Sequence, residues 1–582
     1  MSKQHLQKNL KPRDKAALCL LENDIDAAEE WLEKALEEDE NDHAALGMLA
    51  DICMLRGEFQ EAIGLLVLAI AQKPDEKAYL FCFVLCASKL SFSFTQFNAG
   101  MANAVQACLA QREIANAPLW RLWLALLLCH PDFSKLGSSD ISYDSKEKAA
   151  LAAHPYFLSG LQKLIVFDMD FERRLTALRL ALFRDLSAVS PLWERTDFLR
   201  IAAALSRYCF YTEYIFDATP EEESWVATMR QSLSQDPSGS RAEEVALFSC
   251  YECLGVFSDS SSLIGVCEAE PLLADVADLQ IRDNVRLLEI KKTISAITPI
   301  NDEVSEKVQE QYEIYPYPRW QFLPADAVLA QAEKEVPKNG NILNAGCGTG
   351  YEAALVGTLF PNANILAIDL SKSSLSYAVA RAQDLGLSQI KFAQADILQM
   401  GSRKERYDYI LSSGVLHHMA DPFAGWKVLR DLLKPSGLMR IALYSEKARN
   451  DIVTAREAIR QNGFAATREH MKEFRRRADE VLPLEALETL RKRQDYYQMS
   501  MICDLLFHVQ EHRFDLLQLA SMLKKLRLEF ISFNLTPDVL NRFHDMHGEL
   551  SNSQDLTQWH ALEEAYPDTF TSMYHFWCRA KD

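Results

Sequence analysis

The 582-residue chain is 48% hydrophobic, enough apolar material for about three or four folded domains. A formal net charge of −20 and an isoelectric point near 5.2 exclude non-specific nucleic-acid binding as its business, while leaving room for a local basic patch. Thirteen cysteines, scattered from Cys19 to Cys578, read as buried free thiols of a reducing compartment. The one C-x-x-C pair, Cys250 and Cys253, has no second pair at zinc-site spacing. Residues Met1 to Lys8 lack the apolar run of a secretory signal, and stretches such as Trp123 to Cys129 fall short of the ~20 residues a membrane span needs. The expectation is a cytoplasmic protein without a membrane span.

A repeat comes first. Asn23, Ala28, Trp31 and Ala35 are echoed 34 positions later by Gly57, Ala62, Leu65 and Ala69, with Ile25 matched by Phe59 and Pro74 closing the second unit. Small residues at those places let paired helices approach closely, and this period resembles that of tetratricopeptide hairpins over about residues 12–80. Two units do not make a free-standing solenoid, so neighbouring helices must cover the exposed face. The acidic run Glu37 to Asp42 reads as a solvated inter-helix turn, with a binding feature as the alternative.

Residues 85–300 read as helical. Ala117 to Cys129 has the composition of a buried helix, and Leu175–Leu186 and Leu199–Phe216 are amphipathic at a 3.6 period. Loops are expected near Gly137–Asp140 and Asp236–Ser240. The cluster Tyr208, Phe210, Tyr211, Tyr214 and Phe216 reads as core, with a ligand groove as the alternative. At Gln311 to Trp320 the character changes. Two prolines and three tyrosines rule out a regular helix there and force an extended, bulky segment. Tyr317 and Arg319 in it are candidates to wrap a ligand pocket, unless the segment merely packs there.

From Asn341 onward strands and helices alternate. Strands are expected at Ile342–Ala345, Ile365–Ile368, Ile390–Ala393, Tyr407–Leu411 and Leu438–Tyr444, with helices around 351–359, 373–385 and 422–433. That rhythm predicts a parallel sheet with helices on both faces and a ligand at the carboxyl ends of its strands. A long helical stretch, Asn450 to Leu526, follows with basic clusters at Arg475–Arg477 and Arg491–Arg493. Phe530–Asn534 and Met573–Cys578 then complete the sheet as a terminal antiparallel pair. The expected parts are repeats over 1–85, a helical middle over 86–300, a Rossmann-like α/β core over 301–449, a helical insertion over 450–526, and closing strands over 527–582.

Four features fall at strand ends. Gly346, Gly348 and Gly350 make a turn too tight for a Cβ, which lets backbone approach a ligand. Asp369, 19 residues past Gly350, can accept hydrogen bonds from ribose hydroxyls. Asp396 is placed to reach an adenine amino group or the loop around it, and Ser412 to His418 follow the fourth strand. Dinucleotide sites want a further glycine where this chain has Tyr351, so the turn favours a ligand without a pyrophosphate.

The set Gly-Cys-Gly-Thr-Gly350, Ile-Asp-Leu370, Ala-Asp-Ile397, Gly-Val-Leu-His-His418 and Leu-Lys-Pro-Ser-Gly437 resembles class I S-adenosyl-L-methionine-dependent methyltransferases in order and spacing. The helical repeats, Tyr-Pro-Tyr-Pro-Arg-Trp320 and Ile-Ala-Leu-Tyr-Ser-Glu446 are similar to a bacterial group of repeat-bearing methyltransferases that includes protein lysine methyltransferases. The resemblance implies S-adenosyl-L-methionine as cofactor. Gly346, Cys347 and Gly348 would line its methionine part, with Gly350 in the same turn. Asp369 would hold the ribose with Leu370 beside it, Asp396 and Ile397 would flank adenine, and Ser413 or Gly414 would border the methyl. It implies a protein or peptide substrate gripped by the helical parts, and a homodimer is compatible with their size.

Only the neutral amine of a lysine attacks, and with a reference pKa of about 10.4 its deprotonation costs roughly 4 kcal/mol near neutrality. Tyr444, Glu446 or His417 is expected to help as a nearby acceptor, with His418 facing the pocket; both histidines and Glu446 also have plain packing or surface readings. His508, Glu511 and His512 hint at a metal, but they lack the H-E-x-x-H order and a clear third ligand, so no metal is expected. The leading expectation is methyl transfer to protein lysine amines. Transfer to a small metabolite or lipid-linked sugar, and a non-catalytic repeat scaffold, are the alternatives.

Overall fold

Two compact units divide the chain, Met1–Leu279 and Gln280–Asp582. The structure is a computed structural model and describes residues 10–111, 114–131, 133, 150–186, 193–257, 260–320, 323 and 335–581. The loop expected at Gly137–Asp140 and the N-terminal octapeptide lie outside them. Among the described residues no helix is long and apolar enough to cross a membrane.

The first unit opens with the helices Pro12–Leu21, Ile25–Glu38, His43–Arg56, Phe59–Gln72 and Lys77–Lys89. The repeat has a backbone cause. Asn23 and Gly57, the first echoed pair, both take positive φ (59° and 79°), the left-handed conformation that ends one helix and turns the chain into the next. Ala28 and Ala62, fully buried at equivalent places, let the paired helices close. The acidic run ends in a cap: Asp42 accepts from the Ala44 and Ala45 amides and pairs with Arg13 at 2.8 Å. Ala117–Cys129 forms a short 3-10 turn and then the helix Trp120–Leu128, burying Leu122, Trp123, Leu126 and Leu127. Tyr208, Tyr214 and Phe216 are buried, so the aromatic cluster is core at those three positions.

The second unit is built on a seven-stranded sheet. Its strands are β1 (Asn341–Ala345), β2 (Asn364–Asp369), β3 (Ile390–Gln394), β4 (Tyr407–Ser413), β5 (Leu433–Tyr444), β6 (Leu528–Phe533) and β7 (Met573–Ala580), in the order β3-β2-β1-β4-β5-β7-β6. The first five are parallel; β7 pairs antiparallel with both β5 and β6. Strand alternation sends neighbours to opposite faces. Ile342, Ile365 and Ala367 pack with Ala353 and Val356 of the helix Tyr351–Leu359. Leu343, Ala345 and Ile368 belong to the other layer, with Trp426 of the helix Pro422–Leu432 and Leu519 of the helix Leu516–Leu526.

The extended segment begins later than expected. The helix Glu303–Ile314 runs through the start of the Gln311–Trp320 segment. It stops where Pro316 pushes its predecessor Tyr315 out of the helical region, so only the part from Tyr315 is extended. The insertion is helical, as expected, and is divided into main helices at Asn450–Gln461, Arg468–Arg476, Leu484–Arg491, Met499–Phe507 and Leu516–Leu526. Gly463 at φ 71° and Pro483 supply two of the breaks. The last of the four, residues 508–514, returns across the end of β5. There Phe514 N–H donates to Tyr444 O (3.0 Å), Glu446 N–H to Phe514 O (2.9 Å), and His512 N–H to His417 O (2.7 Å).

Candidate active site

A cavity of about 300 Å³ opens at the carboxyl ends of β1, β2, β4 and β5. Its floor is the turn after β1. Gly346 and Gly348 take φ of 75° and 52°. A Cβ on Gly346 would lie 2.3 Å from Val415 Cγ2, and one on Gly348 would lie 2.7 Å from the Tyr317 carbonyl oxygen. These two glycines bring the chain against the cavity wall. Gly350 does a different job. Its φ is 84°, its missing Cβ would meet Ala378 Cβ at 2.6 Å, and it lies outside the cavity lining. It seats the start of one helix against another.

Asp369 closes β2 with both carboxylate oxygens engaged, accepting from Gly348 N–H (2.8 Å) and Ser371 N–H (2.9 Å). Burial lifts its carboxyl to about 6 despite those two donors. Burial likewise raises Asp396, whose Oδ1 caps the turn at Leu398 N–H (2.9 Å). Leu370, Ile397, Cys347, Ser413 and Gly414 also line the cavity. Burial keeps the Cys347 thiol protonated by pushing its pKa up.

These residues fit S-adenosyl-L-methionine. A glycine floor that a Cβ would fill, a carboxylate at the end of β2, and buried polar atoms without a protein partner on the wall (Ser413 Oγ and His575 Nδ1) leave space and hydrogen-bonding capacity for an adenosyl-amino-acid ligand.

The remaining wall comes from farther away. Tyr312 and Tyr317, just before the core, Tyr444 at the end of β5, and Asp504 in the helix Met499–Phe507 all face the cavity. Tyr317 enters because its segment is pinned: Trp320 Nε1–H donates to Thr349 O at 2.9 Å and Thr349 Oγ–H to Pro318 O. Tyr312 O–H donates to Asp504 Oδ1 at 2.5 Å. Among the described residues the lining holds four carboxylates, Glu352, Asp369, Asp396 and Asp504, and neither lysine nor arginine.

The candidate acceptors separate. Tyr444 lines the cavity, and burial raises its phenol far above the ordinary range, so it stays neutral. His418 lines it too. Its Nδ1 contacts Gln510 O at 2.7 Å, which fixes the proton there, and burial drives its pKa down to about 4. His417 lies behind, fully buried and stacked on the Tyr444 ring at 3.7 Å, with both nitrogens unpartnered and its pKa pushed well down by burial. It supports the tyrosine and is not in the lining. Glu446 points away, half-exposed and paired with Arg513 at 3.2 Å, because β5 ends at Tyr444 and the chain turns helical at Glu446. Arg319 is half-buried and also outside the lining.

Sequence reasoning passed over Tyr312, Asp504, Met573 and His575, all in the lining. One signal was available for Asp504: it is the single charge in the apolar run Met499–Phe507.

His418, Asp504 and His508 gather with ligand-type atoms within 4.8 Å of one another. The two imidazoles stack at 3.6 Å and 19°, so their ring planes never meet at metal-bond distance. His508 Nδ1 accepts from Gln510 N–H, which leaves the proton on its other nitrogen. The grouping lacks the convergent lone pairs of a metal centre. Glu511 is engaged elsewhere, in a buried two-point pair with Arg449 (2.9 and 3.2 Å), and Arg449 lies 3.5 Å over the Tyr444 ring.

Residues 337–501 match a methyltransferase domain family and residues 20–80 match the tetratricopeptide repeat. An uncharacterised protein of Synechococcus sp. is 31% identical over 196 residues, covering 31% of this chain and 46% of that protein. A malonyl-acyl-carrier-protein O-methyltransferase of Halalkalibacterium halodurans is 35% identical over 106 residues, covering 18% and 38%. PKMT2 from Rickettsia typhi, in complex with AdoHcy, aligns at a TM-score of 0.34 and 15% identity over 46% of this chain and 56% of that one. The chain spans less than half the length of either curated relative.

Proposed function

We propose that this chain, which carries a class I S-adenosyl-L-methionine-dependent methyltransferase domain together with tetratricopeptide repeats, transfers the methyl group to protein amines, foremost lysine side chains. The observation that carries this reading is the charge of the cavity: four carboxylates, of which Glu352 alone is ion-paired, to Arg440 outside the lining, and no cationic side chain among the described lining residues. Such a wall attracts an ammonium and repels a carboxylate or phosphate acceptor.

Gly346, Cys347 and Gly348 hold the methionine part of the cofactor, Asp369 with Leu370 the ribose, and Asp396 with Ile397 the adenine; Ser413 and Gly414 border the methyl. When bound, the cofactor supplies an electrophilic methyl on a sulfonium. The protein's task is then to orient the acceptor and manage one proton. Apolar lining from Val308, Met419 and Met573 lowers the local polarity, and desolvation lowers the cost of neutralising an ammonium. The Tyr444 hydroxyl, held over the cavity by His417 stacked beneath and Arg449 above, positions the acceptor. The helical repeats, a peptide-binding architecture, grip the protein substrate. The thirteen free cysteines support action in the cytoplasm. Transfer to a small metabolite or lipid-linked sugar is the second reading, supported by the likeness of the core to an O-methyltransferase.

The test is to incubate the full chain with methyl-labelled S-adenosyl-L-methionine and whole-cell lysate. Label surviving mild base and recovered as methyl-lysine after hydrolysis is the expected result. Label confined to small molecules, or released by base as an ester, overturns the amine reading.

A further inference from the structure

We propose that Asp504, carried by the helical insertion and held by the Tyr312 hydroxyl, is the anionic anchor for the acceptor's amine and the group that takes its proton. The inference rests on the amine reading above and names the residue that reading lacks.

The geometry singles out Asp504 from the other three carboxylates. Glu352 is committed to an ion pair with Arg440. Asp369 has both oxygens bound by backbone amides of the cofactor turn. Asp396 caps the loop after β3. Asp504 comes from outside the nucleotide-binding core and projects from an apolar helix into the cavity, at a spot walled by the rings of Tyr312, Tyr317 and Tyr444. Tyr312 points its hydroxyl at the carboxylate and the Tyr444 ring is covered by His417 and Arg449, so the Asp504 charge rather than an open aromatic face is what draws the ammonium.

The surroundings also set its proton affinity. Burial raises the Asp504 carboxyl to about 7, opposed by the Tyr312 hydrogen bond. Asp495 and Glu511 add negative charge, Arg449 offsets them, and His418 and His508 on the remaining sides are held neutral by burial. Asp495 is itself half-buried and hydrogen-bonded by Tyr317. A base near neutrality is matched to its task, whereas the neighbouring His418, at about 4, accepts a proton too weakly.

In the proposed step an N–H bond of the acceptor's ammonium breaks and an O–H bond forms on the Asp504 carboxylate. The electron pair stays on nitrogen, which becomes the neutral nucleophile. The proton leaves Asp504 for water before the next acceptor binds.

The experiment uses the full chain saturated with S-adenosylhomocysteine and two probes, Nα-acetyl-lysine-methylamide and its norleucine counterpart, followed by saturation-transfer NMR. The wild type should hold the lysine probe at least about tenfold more tightly, a difference a charge-assisted contact supplies. Asp504→Asn should abolish that preference while leaving S-adenosylhomocysteine affinity within about twofold. Tyr312→Phe, which keeps the acid but raises its pKa, should reduce the preference and serves as the test if the first variant does not fold. A preference unchanged in either variant overturns the assignment while the amine reading stands. Loss of S-adenosylhomocysteine affinity in folded Asp504→Asn also overturns it, because Asp504 would then hold the cofactor. Equal binding of the two probes by the wild type overturns the amine reading and the assignment with it.

Discussion

The hydroxyl of Tyr312 donates to Asp504 Oδ1 at 2.5 Å, joining residues 192 positions apart. One stands just before the nucleotide-binding core and the other in the insertion that follows it. The bond stabilises the charged carboxylate, and burial opposes it. Tyr312→Phe removes the donor, so the Asp504 pKa must rise above about 7. A charge-assisted hydrogen bond of about 1.5–3 kcal/mol corresponds to one to two pH units. The acidic limb of the methylation rate should shift upward by about that much, read from label incorporation into lysate protein across pH.

Asp369 gives a second pH dependence. Its folded pKa is raised from 3.8 to about 6, so it is ionised above that value and protonated below it. In the proposed cofactor site, ribose hydroxyls would donate to the ionised form. Affinity for S-adenosylhomocysteine should therefore be full above pH 7 and fall about tenfold per unit as pH drops through 6. Asp369→Asn should bind weakly at all pH values and lose the slope, as measured by calorimetry.

The floor glycines predict a graded series. Gly346→Ala and Gly348→Ala each place a Cβ against a wall at positive φ, at 2.3 Å from Val415 and 2.7 Å from the Tyr317 carbonyl. Backbone strain alone costs about 1–2 kcal/mol. Both should lower stability and weaken S-adenosylhomocysteine binding more than about tenfold. Gly401→Ala, with nothing within 4 Å of its Cβ, should do neither.

Much of this core was legible because its signals are local. Each of the first four strands is a short apolar run that ends in a turn or a carboxylate, and the repeat shows itself through Asn23 and Gly57, which need the same backbone conformation. The insertion is helical as expected, but its breaks were hard to place because helix-forming residues continue through them; Gly463, Pro483 and the return segment at 508–514 mark three of the four. The acceptor end was hidden for another reason. Whether His417 or His418 faces the cavity depends on the 3-10 turn that holds them, and Glu446 is lost to solvent because β5 ends two residues earlier. Asp504 reaches the site through tertiary packing, which no local pattern announces.

The buried pair Arg449–Glu511 should behave as a unit. Both side chains are nearly inaccessible, at 1% and 2% exposure. Glu511→Gln strands a buried guanidinium and should cost about 3–5 kcal/mol. Arg449→Met with Glu511→Leu should cost less but not nothing, because Arg456 and Arg513, at 3.7 and 3.5 Å from Glu511, also lose their carboxylate. Scanning calorimetry reads this from the transition that S-adenosylhomocysteine raises, which identifies the unit holding the cavity.

The central claim is that the turn Gly346–Gly350 and Asp369 form a methyl-donor site. Calorimetric titration of the full chain with S-adenosyl-L-methionine, beside Asp369→Ala, tests it most directly. Saturable binding to one site per chain, weakened at least about tenfold in the variant, is the result expected. Absence of binding by the folded wild type would contradict the account.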